Sequence, residues 1–189
     1  MKPLTPSMPR LIVVMGIPGA GKTQFAEHFA KMFHAPFVNA HTLQVLSHAD
    51  DAHTERLALH TLGEVLKAQR TFIYEGPTFN RAHRQLLEKL VRAAHFKMLL
   101  VWVQTDSIEA KKRVMRARRY SSDQFEELLD KFEIPLATEK PIVISGKHTF
   151  ATQVKMVLRH LADAARSSAP EPPMPPPPTA RPTRTITIR

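Results

Sequence analysis

Gly16-Ile17-Pro18-Gly19-Ala20-Gly21-Lys22-Thr23 brings three glycines, an ammonium and a hydroxyl into one short stretch. The spacing is G-x-x-x-x-G-K-[ST], the pattern of a loop that cradles phosphate groups. Glycines at 16, 19 and 21 permit torsions and close approaches that a Cβ blocks. The backbone N–H groups of such a loop converge on an anion. The N-terminus of the helix that follows adds partial positive charge. Lys22 is placed to reach the β- and γ-phosphates of a nucleotide, and the Thr23 hydroxyl to coordinate Mg²⁺. All eight residues from Gly16 to Thr23 are therefore expected to hold a nucleotide and its metal.

A loop of this kind works only between a buried strand and a helix, and the flanking sequence supplies both. Leu11-Ile-Val-Val-Met15 is a continuous β-branched apolar run, which suits a strand covered on both faces. From Lys22 to Phe33, the residues Phe25, Phe29, Met32 and Phe33 fall on one helical face. Further strands are expected at 36–39, 71–75, 96–103 and 141–144, separated by amphipathic stretches and a polar, His-rich connection after residue 39. In the stretch after Asn80, the periodicity predicts an inward face of His83, Leu86, Leu87, Leu90, Val91 and Ala94. Strands alternating with helices predict an α/β fold: a three-layer α/β/α domain around a five-stranded parallel sheet. Glu75 ends the third strand, where α/β folds bind ligands. It can hold Mg²⁺ through water or orient a nucleophile, or it can merely cap a neighbouring turn.

Composition narrows the field. The chain has 189 residues, no cysteine and a formal net charge of +10. Disulfide scaffolds, thiolate metal sites and cysteine nucleophiles are excluded. No run approaches the length of a membrane span, so a soluble, cytoplasmic protein without a membrane partner is expected. The positive charge fits nucleotide phosphates or nucleic acid, or plain surface lysines. Half of the 16 prolines lie between 170 and 182. The expected organisation is a lead-in over 1–9, a domain over 10–166 and a disordered Pro-rich tail over 167–189. His48-Ala-Asp-Asp-Ala-His53 contains metal-ligand residue types, but such a polar loop is expected to be solvated.

The sequence has neither an Asn-Lys-x-Asp guanine reader nor a Leu-Ser-Gly-Gly-Gln signature. Over roughly 10–165 it resembles small P-loop kinases of the polynucleotide-kinase-like and zeta-toxin-like group. Four segments carry the resemblance. They are the loop GIPGAGKT, the stretch from Phe72 to Arg84 ending in Asn80-x-x-x-Arg84, the basic segment Lys111 to Arg119, and Phe132-Glu-Ile-Pro-Leu-Ala-Thr-Glu139. The resemblance implies a strand order of 2-3-1-4-5, with ATP and Mg²⁺ as cofactors. It also implies a lid whose arginines, Arg113 and Arg116, aim at the transferring phosphoryl group. A nucleic-acid patch or inert surface is the alternative for that segment.

The departures fall after the second and third strands. Where the family has Asp-x-hydrophobic-Arg, this chain has His41-Thr-Leu-Gln44. The resemblance thus puts His41 in place of the general base, and an imidazole suits that task. An ordinary surface histidine is the alternative. Where the family has Asp after strand three, Glu75-Gly76 stands, so the carboxylate is either lengthened or replaced by glycine. The expected function is ATP-dependent phosphoryl transfer to a hydroxyl of a small molecule or a nucleic-acid 5′ end. The acceptor is unidentified. The alternatives are an ATP-binding protein with little or no kinase activity and a basic nucleic-acid-binding protein. Expected catalytic groups are Lys22, His41, Glu75, Arg113 and Arg116, with Thr23 and Glu75 on the metal.

Overall fold

The structure is a computed structural model that describes residues 8–118 and 120–166. The expected tail, most of the lead-in and Arg119 lie outside the described residues. The elements run β1 (Arg10–Met15), α1 (Lys22–Phe33), β2 (Phe37–Asn39), α2 (Ala40–Ser47), α3 (Asp51–Lys67), β3 (Phe72–Glu75), α4 (Arg81–Ala93), β4 (Lys97–Gln104), α5 (Ser107–Arg116), α6 (Ser122–Asp130), β5 (Ile142–Ser145) and α7 (Phe150–Arg166). A single 3₁₀ turn, Ala137–Glu139, precedes β5.

The five strands form one sheet of order β2-β3-β1-β4-β5, and every pairing is parallel. This is the α/β order expected from the sequence. β1 lies at the centre with all six residues buried, as its apolar run requires. Its side chains alternate between two cores. Ile12 and Val14 pack with Phe25, Phe29 and Phe33 of α1 and Val154 and Val157 of α7. Leu11, Val13 and Met15 pack with Ala58, Leu62 and Leu66 of α3 and Leu87 and Val91 of α4. Each large side chain buried this way contributes about 1.5–3 kcal/mol. Among the described residues no helix is long and apolar enough to cross a membrane.

Two local expectations are corrected. The stretch after β2 is not an irregular connection. Asn39 caps α2 by accepting a hydrogen bond from Thr42 N at 3.1 Å, and Asp50 caps α3 by accepting from His53 N at 2.8 Å. These caps satisfy orphan N–H groups and let helices start within a polar sequence. The inward face of α4 is also rotated from the one the periodicity suggests. Arg84, Leu87 and Val91 are buried, while Leu86 and Leu90 are 42% and 40% exposed. The rotation follows from Arg84, whose polar contacts draw it inside.

Candidate active site

The glycine-rich loop leaves β1 at the carboxyl edge of the sheet and runs into α1. Its glycines at 16, 19 and 21 all have positive φ, at 150°, 78° and 99°. Two of them are also fixed by crowding. A Cβ on Gly16 would meet Val103 O at 2.5 Å, and one on Gly19 would meet Ala110 O at 2.3 Å. β4 and α5 thus press against the loop from one side. Ile17, Pro18 and Ala20 are buried, while Gly19, Lys22 and Thr23 are half-buried. Lys22 Nζ donates to Ile17 O at 3.0 Å, which keeps the ammonium on its own loop.

Gly146, after β5, belongs to the same packing. A Cβ there would come within 2.2 Å of Ala20 O and 2.1 Å of Thr105 Oγ1. Thr105 donates its hydroxyl hydrogen to Ala20 O at 3.1 Å. The sequence alone gave no reason to single out either residue, because the contact depends on β4 and β5 ending side by side.

Thr23 and Glu75 meet. The threonine hydroxyl donates to Glu75 Oε1 at 3.0 Å. Asn39 Nδ2 donates to Glu75 Oε2 at 3.1 Å. Register explains the second bond, since Asn39 pairs with Glu75 across β2 and β3. The glutamate therefore reaches from β3 to the first turn of α1, and its two oxygens are held from both sides. Asn39 was not among the sequence candidates. Its signal was its position as the last residue of an edge strand ahead of a helix. A hydroxyl and a carboxylate side by side are the hard oxygen donors that Mg²⁺ takes, so the residues present fit that ion.

The remaining candidates are placed differently. His41 lies in the first turn of α2, two residues beyond Asn39, and its side chain is exposed. Gln44, where the resemblance implies an arginine, is engaged by Asp51 at 2.7 Å. Arg113 is tied down: Nε donates to Glu109 Oε1 at 3.1 Å and Nη1 to Gly146 O at 3.2 Å. It thus bridges α5 to the residue that packs against the loop. Arg116, one turn on, is exposed. Both arginines occupy the last turn of α5, where positive charge also opposes the helix dipole.

The His48–His53 stretch holds no metal cluster, and none occurs among the described residues. His53 Nδ1 instead lies 2.8 Å from Asp50, which holds the Asp50 carboxyl below its ordinary range through the backbone and ring hydrogen bonds of His53.

A family model described as AAA domain matches residues 11–135. No curated protein matches the chain. Among solved structures, a gluconokinase from Sinorhizobium meliloti 1021 superposes with a TM-score of 0.65 at 19% identity, covering 85% of this chain and 95% of that one. A sugar kinase from Janibacter sp. HTCC2649 gives 0.62 at 18% identity, with coverage of 85% and 99%. Kti12 from Chaetomium thermophilum, in complex with ADP-AlF3, gives 0.66 at 19% identity, with coverage of 82% and 98%. At these identities the likeness is one of fold. The family match spans the glycine loop, Glu75 and α5, and by that match the chain belongs to the AAA-domain family.

Proposed function

We propose that this chain transfers a phosphoryl group from ATP to a hydroxyl of a small molecule or a nucleic-acid 5′ end, as the polynucleotide-kinase-like and zeta-toxin-like kinases do. The carrying observation is the 3.0 Å contact of Thr23 with Glu75 at the end of the glycine loop. It joins the phosphate-binding element to a carboxylate on the adjacent strand, and loop, hydroxyl and acid are the parts phosphoryl transfer needs. Gluconokinase and sugar kinase among the structural neighbours favour a small hydroxyl compound as acceptor.

In this reading the loop N–H groups and Lys22 hold the phosphates. Thr23 and Glu75 hold Mg²⁺, which supplies charge neutralisation on the phosphate oxygens. Asn39 keeps the Glu75 carboxylate turned towards Thr23. The bond between the γ-phosphorus and the ADP oxygen breaks as the bond to the acceptor oxygen forms. The acceptor proton passes to His41. Arg113 and Arg116 face the charge on the phosphoryl group as it transfers.

A second reading is a nucleotide-binding protein with little or no transferase activity. It is favoured by the exposed His41 and the engaged Gln44, which stand where the family carries Asp and Arg. A screen of ADP release over sugars, nucleosides and 5′-hydroxyl oligonucleotides separates the two. One compound that releases ADP with the native chain and not with Lys22→Ala supports the kinase. ATP binding that is lost in Lys22→Ala, with no acceptor across the screen, supports the binder. ATP affinity and ADP release both unchanged in Lys22→Ala overturn both.

A further inference from the structure

Thr105 directly follows β4 and is half-buried. Its hydroxyl donates to Ala20 O at 3.1 Å, across 85 residues of sequence. Ala20 is buried inside the glycine loop and precedes Gly21. A peptide plane before a glycine can turn over at little cost, because glycine accepts both signs of φ. The hydrogen bond from Thr105 selects one orientation. The plane is rigid and trans, so its C=O and N–H point in opposite directions. With Ala20 O turned towards Thr105, the Gly21 N–H is turned away from β4 and β5.

That N–H donates to no acceptor among the described residues. A Cβ on Gly21 would meet no atom within 4 Å, so the residue borders open space. An orphan N–H beside open space, at the entry to α1, suits a phosphate oxygen. Gly146 guards the other side of the contact. A Cβ there would collide with both Thr105 Oγ1 and Ala20 O, so only glycine leaves hydroxyl and carbonyl room to meet. Its backbone is fixed at both ends. The Gly146 N–H donates to Gln104 O at 2.8 Å, and Gly146 O accepts from Arg113 Nη1 at 3.2 Å.

We infer that Thr105 is a positioning residue for nucleotide binding: its hydroxyl pins the Ala20–Gly21 peptide so that the Gly21 N–H faces the phosphates. The inference rests on the loop as the nucleotide site, which the kinase and the binder readings share. Thr105 touches no phosphate itself and acts through the peptide. Without the hydroxyl, nothing holds Ala20 O on the β4 side. The carbonyl then turns towards the phosphates, where its partial negative charge repels them, and binding must first turn it back. Gly146 supports the same orientation by leaving the contact unobstructed.

The test measures ADP binding to the full chain by calorimetry, at a temperature where circular dichroism shows every variant folded. Thr105→Val keeps the side-chain shape and is expected to weaken ADP about tenfold, the worth of one hydrogen bond. Thr105→Ala, which adds no methyl beside Gly146, is expected to match it. Thr105→Ser is expected to restore the native affinity. Amide NMR adds a readout that a plain packing role would not move. The Gly21 amide proton should shift downfield when ADP binds, as a charge-assisted hydrogen bond to phosphate requires. That shift should shrink in Thr105→Val and return in Thr105→Ser. Native affinity in both Thr105→Val and Thr105→Ala overturns the inference, and so does a Gly21 shift that is unchanged in Thr105→Val. Binding as weak in Thr105→Ser as in Thr105→Val makes the threonine a packing residue and overturns it too. In each of these cases, ADP binding that Lys22→Ala weakens keeps the loop as the nucleotide site. A native chain that binds no ADP removes that site and the inference together.

Discussion

The carboxylate of Glu139 receives two hydrogen bonds from Arg84, from Nε at 2.6 Å and Nη2 at 3.0 Å, and the arginine is 1% exposed. Arg84 Nη1 also donates to Thr78 O and Glu133 O, each at 3.1 Å. One guanidinium thus joins the β3–α4 segment to the loop after α6. Glu133 returns the link, since its carboxylate accepts from Arg81 N at 2.7 Å and its own N–H donates to Phe79 O at 2.8 Å. These contacts tie the β3–α4 segment to the loop after α6.

Breaking this clamp should destabilise the fold. Arg84→Ala leaves a carboxylate and several carbonyls unpaired in a partly buried place, which costs about 3–5 kcal/mol. Denaturant unfolding measures it. The guanidinium hydrogen bonds hold the Glu139 carboxyl below the usual glutamate range. A lowered folded pKa gives stability that is present above the unfolded value and lost as pH falls through the folded one. The stability of the native chain should therefore drop on the acid side more steeply than that of Arg84→Ala.

Much of this was legible in the sequence, and the exceptions have physical causes. The five parallel strands followed from apolar runs alternating with helices, and their order from the resemblance to small P-loop kinases. Glycines at 16, 19 and 21 were readable because positive φ has a residue signature. The segments ending in Arg84 and Glu139 stood out as motifs, but their mutual contact spans 55 residues and has no local signal. Asn39 was missed because its two roles depend on register with Glu75 and on the helix start at Ala40. A polar, His-rich composition hid that start.

Removing the Glu75 carboxylate should weaken Mg²⁺ more than it weakens ATP. Glu75→Gln keeps the shape and an oxygen for Thr23 but loses the charge, and outer-ligand changes of this kind cost about 10–100-fold in metal affinity. Asn39→Ala should give a smaller loss in the same direction, because the carboxylate stays but turns freely. Titrating Mg²⁺ at saturating ATP, with bound-nucleotide fluorescence as readout, checks both. An unchanged Mg²⁺ midpoint in Glu75→Gln would remove the acid from the metal site.

Arg113 and Arg116 should separate under mutation, because Arg113 is tied to Glu109 and Gly146 and Arg116 is exposed. Arg113→Ala cuts the link from α5 to Gly146, so it should lower the melting temperature as well as kcat. Arg116→Ala should leave the melting temperature unchanged and lower kcat alone, with ATP affinity kept, since charge on the moving phosphoryl group is felt in the transition state. Arginines in that role are worth about 10³ or more in kcat. A normal kcat in Arg116→Ala would make that residue plain surface.

His41 decides whether proton transfer occurs at the α2 position. It stands two residues beyond Asn39, which donates to Glu75, so the proposed base and the proposed metal-binding carboxylate share one turn of chain. His41→Ala should cost about 10²–10⁴ in rate on a confirmed acceptor. His41→Asp should restore the rate, because a carboxylate at that position can take the same proton. Full activity in His41→Ala removes the residue from the reaction. Activity created by His41→Asp where the native chain has none would show a nucleotide-binding loop and metal-binding carboxylate that lack only their base, and the binder reading then stands.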